Sequence, residues 1–490
     1  MNPSNHHDAS PIVSSRVLRK VDRRLVPLLF TTYMLSFMDK TILSSASVFG
    51  LIDDTHLVGQ QYSWVSSIFY FGFLLWEWPT SFLIPRLPVA KYLVANTLFW
   101  GIVVALTAAC DNYGGLLAVR FFLGVAEATI TPAFMFITTT WYTRDEIPVR
   151  TALWFSGNSI GGLLASLAAY GIGHIEHPLR PWMWMFIILG IATFIWAFVL
   201  LTFLPDSISA ASFLTTEEKE LISRRVAIAG TGFTERTTWN RDQVVECFRD
   251  PKTWHLLAIA CLTQVPNGGI QNFANLVIKS FGFTALESTL INIPFSIISG
   301  ATITFTGWLA GRFRKLNCIL IACILASAGT GSTLIYAHIY HVSQGVQLFG
   351  FFLLAIGPGA LPLTMSLAQA NYKGVTKKMA ITGSMFVAYC VGNITGPHLF
   401  RASEAPAYEN SFRIILICYA LAATLSLSLH VYLRLLNVQR DRKEMAQGDP
   451  RDHHRTGSTE VSPLLGATIQ QPGRYYDVTD WNTFGFRYRF

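Results

Sequence analysis

Charge is scarce in this sequence. Only 13% of its 490 residues are Asp, Glu, Lys or Arg, about half the share of a soluble domain. Paired cysteine motifs are missing too. The seven cysteines, Cys110, Cys247, Cys261, Cys318, Cys323, Cys390 and Cys418, form no Cys-x-x-Cys. All but Cys247 lie in apolar stretches, and they read as buried thiols rather than ligands or bridges. No phosphate loop ending in Gly-Lys-Ser/Thr occurs, so ATP-driven work has no site. Neither His-Glu-x-x-His nor Asp-Phe-Gly is present, and an enzyme is not expected. No cleavable signal is expected in the first 24 residues, because the apolar run behind them is too long for one. What abounds is hydrophobicity: 51% of residues, 35 of them Phe, with a mean hydropathy of +0.40. That excludes a soluble enzyme, a disordered chain and a secreted disulfide scaffold, and leaves an integral membrane protein. The net charge of +8 is scattered between apolar segments and implies no nucleic-acid surface.

A spanning helix needs about 20 mainly apolar residues. Twelve segments qualify: 25–50, 63–84, 92–110, 114–139, 151–173, 184–204, 254–278, 287–309, 316–337, 345–368, 379–400 and 411–436. The polar gap 205–253 divides them six and six, which predicts an N-terminal half over 25–204 and a C-terminal half over 254–436. Residues 1–24, 205–253 and 437–490 become an N-terminal tail, a central loop and a polar tail. Lys and Arg crowd into the tails and loops of one side, 22 against four on the other (Arg180, Lys279, Arg401 and Arg413). Basic loops stay in the cytosol, so both termini are expected there. The halves also echo each other. Pro85-Arg86-Leu87-Pro88-Val89-Ala90-Lys91 and Gly311-Arg312-Phe313-Arg314-Lys315 put basic turns at matching places. Together these features describe an all-α membrane protein of twelve helices in two halves, with the organisation of a secondary transporter.

Several blocks then carry a resemblance. They are Phe37-Met38-Asp39-Lys40, Trp76-Glu77-Trp78-Pro79, Arg120-Phe121-Phe122-Leu123-Gly124-Val125-Ala126-Glu127, Leu204-Pro205-Asp206-Ser207, Pro266-Asn267-Gly268-Gly269-Ile270-Gln271-Asn272-Phe273 and Gly392-Asn393-Ile394-Thr395-Gly396-Pro397. In order, they make the chain resemble the major facilitator superfamily, and within it the fungal allantoate permease family of anion:cation symporters. The chain departs from that pattern at Trp182-Met183-Trp184, where the family has Trp-Arg-Trp, and in the loop after residue 84, which lacks Gly-x-x-x-Asp. The resemblance implies the major facilitator fold, with the first and fourth helices lining a central cavity. It also implies proton-driven uptake of a small carboxylate with polar nitrogen groups, such as allantoate, a ureido acid, nicotinate or a vitamin-like anion. No cofactor is expected beyond the proton gradient. The expected partners are that anion, a proton and the bilayer, and the expected form is a monomer in the plasma membrane. An exporter or intracellular carrier of a pathway metabolite, and a non-transporting nutrient receptor, remain as alternatives.

Charges inside the membrane are costly and mark functional sites. At about 1.5 Å per residue, Asp39 lies about 21 Å from the inner end of its helix and Arg120 about 9 Å from the outer end of its own. In a core about 30 Å thick these depths coincide, so the two are placed to pair. Arg120 is the candidate for a substrate carboxylate, which guanidinium binds with two parallel hydrogen bonds. Lys40 is the second cation. In the competing reading Arg120 and Asp39 are a permanent ion pair and Lys40 reaches toward the interface.

Glu127, Asp39 and Glu77 are the proton-coupling candidates, since a buried carboxylate takes up a proton near neutral pH. In the C-terminal half, Asn267 and Gln271 share a helix face, and with Asn393 they are candidates to bind an amide or ureido group. Pro266 and Gly268-Gly269 are expected to weaken the helix there and open backbone groups to the cavity. The competing reading makes these amides glue between helices. Trp64, Trp76, Trp78 and Phe273 are candidates for a stacking wall, or for ordinary packing. Gly157-Asn158-Ser159-Ile160-Gly161-Gly162 resembles a close helix contact. The superfamily's drug/proton antiporters carry a Gly-Pro step in this helix, so by that resemblance the absence of proline between Ala152 and Glu176 favours uptake over efflux. His174, His338 and His341 read as solvated loop residues, and His453-His454 as part of a polar tail rather than a metal site.

Overall fold

The computed structural model describes residues 11–143, 145–175, 177–228, 240–313, 315–336, 343–405, 408–447, 478–483 and 485–490. Arg314, His338, His341, His453 and His454 lie outside the described residues. Among the described residues all regular structure is helical. The first half holds α1 (Pro11–Ala46), α2 (Gln61–Leu83), α3 (Val89–Thr107), α4 (Tyr113–Trp141), α5 (Ile147–Ile172) and α6 (Pro181–Phe203). Two shorter helices follow, α7 (Thr216–Ile228) and α8 (Arg241–Arg249). The second half holds α9 (Pro251–Ser280), α10 (Ala285–Arg312), α11 (Asn317–Tyr336), α12 (Gln344–Asn371), α13 (Val375–Thr395) and α14 (Glu409–Gln447).

Among the described residues, ten helical spans are long and apolar enough to cross a membrane. α2 and α9, 23 and 30 residues long, pack in the same bundle. Two helices overrun their apolar stretches: α1 starts before residue 25 and α14 continues past 436. Their charged extensions stay helical because they still bury an apolar stripe, as Val17, Val21 and Leu25 do on α1. On α6, Ile188, Ile191, Ile195 and Phe198 form an exposed stripe. Large apolar side chains on a continuous outer face suit a lipid environment, and the chain is a multi-pass membrane protein.

The packing repeats between halves. α1 lies on α5 and α3 on α6; in the same way α9 lies on α13 and α11 on α14. The halves meet through α2 with α13 and α5 with α10, pairs that exchange when the halves exchange.

Small residues set several of these contacts. A Cβ on Gly72 of α2 would stand 2.2 Å from the Phe121 carbonyl oxygen of α4, and one on Gly124 would stand 2.0 Å from that of Phe69. The backbones of α2 and α4 therefore touch. Gly157 and Gly161 lie against the Phe30 and Met34 carbonyls of α1, at 2.8 and 2.6 Å from a Cβ. Gly157, Ser159 and Gly161 also match the Gly-x-Ser-x-Gly spacing of a hydrolase nucleophile turn. That turn needs a strand-to-helix bend, whereas here the residues run along one helix against its neighbour.

The expected weakening of the helix at Pro266 and Gly268-Gly269 does not occur. α9 is continuous through these residues. Its glycines are consumed in packing: a Cβ on Gly268 would meet the Asn393 backbone at 2.7 Å, and one on Gly269 the Phe400 ring at 2.7 Å.

The start of α1 and the last described residues lie on one face of the bundle, here called the terminal face. Asp22 of α1 pairs there with Arg150 (2.8 Å) and Lys20 with Glu218 of α7. Residues 478–483 and 485–490 lie on the same face, where Asn317 at the start of α11 donates its backbone N–H to the Phe490 carbonyl (3.1 Å).

Candidate functional site

The charged residues expected on α1 and α4 are buried together. Asp39 is 1% exposed, Arg120 3% and Glu127 1%. Lys40 Nζ lies 2.9 Å from Glu127 Oε2, and Ser36 Oγ donates to the same oxygen at 2.6 Å. Ser36 and Lys40 are one helical turn apart, so one stripe of α1 holds both partners of Glu127. The Lys40 ammonium also lies 5.6 Å from the ring centres of Phe69 and Phe73 on α2.

The expected Asp39–Arg120 ion pair does not form. Neither carboxylate oxygen of Asp39 has a hydrogen-bond partner among the described residues, nor do Nε and one terminal nitrogen of Arg120. The guanidinium instead faces the Phe186 ring of α6, with Cζ 5.6 Å from its centre. Equal depth along two helices does not fix which way two side chains point. The salt bridge passes to Lys40 and Glu127, and Arg120 and Asp39 each keep free hydrogen-bonding capacity in a buried place.

Glu77 stands apart on α2. It is half-buried, and its Oε2 has no hydrogen-bond partner among the described residues.

The amide candidates divide. Asn267 Nδ2 donates to Gln264 Oε1 (3.1 Å) and Asn393 Oδ1 (3.2 Å), and Asn393 Nδ2 donates to Gln264 Oε1 (3.1 Å) and the Tyr389 carbonyl (2.9 Å). These three amides join α9 to α13, and Asn393 is wholly buried. Gln271 is half-buried and outside this trio. The aromatic candidates do not form one wall. Trp78 is exposed, Trp64 packs on the His398 ring (4.6 Å), and Phe273 stacks on Phe400 (4.8 Å).

Sequence reasoning missed Ser36 and Phe186, and it had Gln264 only as one of the polar residues of the C-terminal half. For Ser36 a signal existed, since it lies four residues before Lys40 on one face. Nothing in the sequence marks Phe186. Of the departures from the family pattern, Trp182-Met183-Trp184 has a local account. Trp182 Nε1 donates to Asp54 Oδ2 at 2.7 Å, and Arg180 reaches the same oxygen at 3.8 Å.

Away from the terminal face the halves are tied together. Asn275 of α9 donates its backbone N–H to Ser44 Oγ (3.1 Å) and its side-chain amide to Ser45 Oγ (3.0 Å) of α1. Tyr62 donates to the Asn272 carbonyl (2.9 Å), Ser63 to that of Pro397 (2.9 Å) and Ser67 to that of Ile394 (2.8 Å). The ion pairs described on the terminal face each stay on one half's side. Glu146 holds Arg225 of α7 at 2.6 Å, whereas Glu246 of α8 holds Lys377 at 2.7 Å. Above Trp64 and His398 a depression of about 530 Å³ opens outward, lined by Gly59, Gln60, His398 and Arg401 to Ser403.

Comparison with known proteins agrees with this arrangement. The family profile described as Major Facilitator Superfamily matches residues 29–397. An uncharacterized transporter of Schizosaccharomyces pombe is 32% identical, over 97% of this chain and 87% of its own length. The allantoate permease of Saccharomyces cerevisiae is 30% identical over 98% of this chain and 87% of its own, and a thiamine pathway transporter of the same yeast is 29% identical over 90% and 83%. Among solved structures, a bacterial homolog of the human lysosomal transporter Spinster, inward-facing and occupied, is similar with a TM-score of 0.61. It is 14% identical and covers 86% of this chain and 97% of its own.

Proposed function

The chain belongs to the major facilitator superfamily, and from that premise we propose that it is a proton-coupled carrier taking up a small organic anion by alternating access. In this reading twelve helices cross the plasma membrane, the terminal face lies in the cytosol, and the halves rock about the charged site between α1 and α4.

One observation carries the reading: Arg120 and Asp39 are buried and oppositely charged, and among the described residues neither has an ion-pair partner within 4 Å. A buried charge without a partner is costly and is retained where something else pairs with it. Asp39, Lys40, Arg120 and Glu127 sum to zero charge. A substrate carboxylate on Arg120 takes the sum to minus one, and a proton on Asp39 or Glu127 restores it. Protonation of Glu127 would also free Lys40 to turn toward the substrate. Coupling serves the energetics as well, because a lone monoanion entering against an inside-negative potential faces about 2.3 kcal/mol per 100 mV. Gln271 is the amide best placed to meet a polar nitrogen group, and Asn267 and Asn393 would join it if their trio opens. Glu77 is the reserve proton site. The allantoate permease relative supports a ureido acid as the first substrate to test.

The test is radiolabelled uptake in cells lacking their own carboxylate permeases. The panel is allantoate, ureidosuccinate, nicotinate, pantothenate and biotin, at about pH 5 and about pH 7.5 so as to bracket a shifted carboxyl. Expected are faster uptake at the lower pH, sensitivity to an uncoupler, and loss in Arg120→Ala. Surface-expressed protein that moves none of these compounds would overturn the reading in favour of export or another substrate class.

A further inference from the structure

The terminal face of the C-terminal half holds a second charged cluster that the transport reading does not use. Lys252, at the start of α9, and Lys377, in the first turn of α13, are both wholly buried. The counter-ion they share at closest range comes from much later in the chain. Asp480, also 0% exposed, lies with one carboxylate oxygen 2.6 Å from Lys252 Nζ and the other 2.7 Å from Lys377 Nζ. Asp250 and Glu246 add one carboxylate to each lysine, at 2.6 and 2.7 Å.

The segment around Asp480 is bound as a peptide ligand is bound, through backbone and side chains together. Asn371 of α12 donates to the Arg489 carbonyl (2.8 Å) and accepts from the Arg489 N–H (2.7 Å). Asn437 of α14 does the same for Tyr488, at 2.9 Å in both directions. Arg440 donates to the Asp480 carbonyl (2.7 Å), and the Trp481 indole donates to Asp250 (2.9 Å). Two asparagines, each reading both polar groups of one residue, are a specific way to hold an extended chain.

We propose that Val478–Phe490 is a built-in peptide ligand, a strap that docks on the terminal face and sets Asp480 between Lys252 and Lys377, as a carboxylate shared by two lysines that each hold one of their own. Its docking ties the ends of α9, α11, α12, α13 and α14 to one another. α9 and α13 are also the helices joined by the Gln264, Asn267 and Asn393 trio, so the strap holds that pair together at its terminal end. Asp480 is a positioning residue and touches no substrate. The proposal is independent of the substrate and of the coupling ion.

The test uses the full chain. Cys247 is wholly buried on α8, six residues from Thr253 and hydrogen-bonded to it, beside the cluster. Its rate of maleimide labelling, read by peptide mass mapping, reports whether the cluster is covered. Asp480→Asn is expected to label at least about tenfold faster, because the strap loses the charge-assisted hydrogen bonds that Lys252 and Lys377 donate to Asp480, and losing two such bonds exceeds a factor of ten. Asp480→Glu is expected to stay near the parent rate. Excess synthetic Val478–Phe490 peptide should restore protection to the Asp480→Asn chain, and the same peptide carrying Asp480→Asn should not.

A second arm needs no destabilised variant. A spin label on Asn482→Cys, an exposed strap position, should become mobile when excess peptide displaces the strap, and should not respond to the Asp480→Asn peptide. Unchanged Cys247 protection in Asp480→Asn, or equal effects of the two peptides, would overturn the proposal.

Discussion

At the scale of residues, the informative contrast is between two buried cations. Lys40 has a carboxylate and Arg120 does not. The sequence placed Asp39 and Arg120 at one depth and Glu127 two turns further along α4, but depth is one coordinate and pairing needs three. Lys40 was therefore legible as a buried cation and illegible as the partner of Glu127. The pairing makes a prediction. Lys40→Met leaves Glu127 buried without its counter-charge, and removal of one partner of a buried pair costs about 3–5 kcal/mol. Glu127→Gln leaves Lys40 in the same position. The double variant removes both charges and should recover most of the stability either single variant loses. Thermal unfolding of the purified proteins in detergent measures this. Double-variant losses equal to the sum of the single ones would mean that the two side chains do not depend on each other.

At the scale of elements, the apolar segments were readable because hydrophobic runs of helical length have few other fates. What each helix touches was less readable. Pro266 and Gly268-Gly269 suggested a broken helix, since those residues weaken helices in isolation. Packing reverses the inference, because the glycines admit Asn393 and Phe400 and α9 runs on unbroken through the contact. The same logic at the crossing of α2 and α4 gives a prediction. A methyl group on Gly124 would lie 2.0 Å from the Phe69 carbonyl oxygen, which the two backbones relieve only by separating. Gly124→Ala should destabilise by about 1–3 kcal/mol or more, whereas Gly307→Ala, with nothing within 4 Å of its Cβ, should leave the melting temperature unchanged.

The strap is also an element-scale feature, and its pH response follows from Asp480. Burial alone would raise that carboxyl, but the ammonium groups of Lys252 and Lys377 overcome burial and hold it below its usual value of 3.8. The neighbours are Asp250, Glu246, Tyr488 and Arg440. A carboxyl whose folded pKa is depressed stabilises fully above its unfolded value and loses that contribution as pH falls through the folded one. The Asn482→Cys spin label should therefore stay immobile from neutral pH to about 5 and loosen only below about 4. Loosening already near neutral pH would mean that another group controls docking.

At the scale of the whole molecule, the hydrogen bonds described between the halves lie, among the described residues, away from the terminal face, and that asymmetry bears on the conformer. With the terminal face in the cytosol, as proposed, Ser44, Ser45, Tyr62, Ser63 and Ser67 close the outer side while the cytosolic ion pairs remain divided between the halves. The molecule is then poised inward. The six-and-six division and the basic turns were visible in the sequence, but the state was not, because state depends on contacts between residues such as Ser45 and Asn275 that lie far apart along the chain. Alternating access requires these contacts to part in every cycle. A short, reversible thiol cross-link between Ser45→Cys and Asn275→Cys should therefore abolish transport, and reductive cleavage should restore it. Each single cysteine variant, treated alike, should keep its flux. Undiminished transport in the cross-linked double variant would mean that this face does not open during the cycle, and the rocking of two halves would have to be abandoned for this chain.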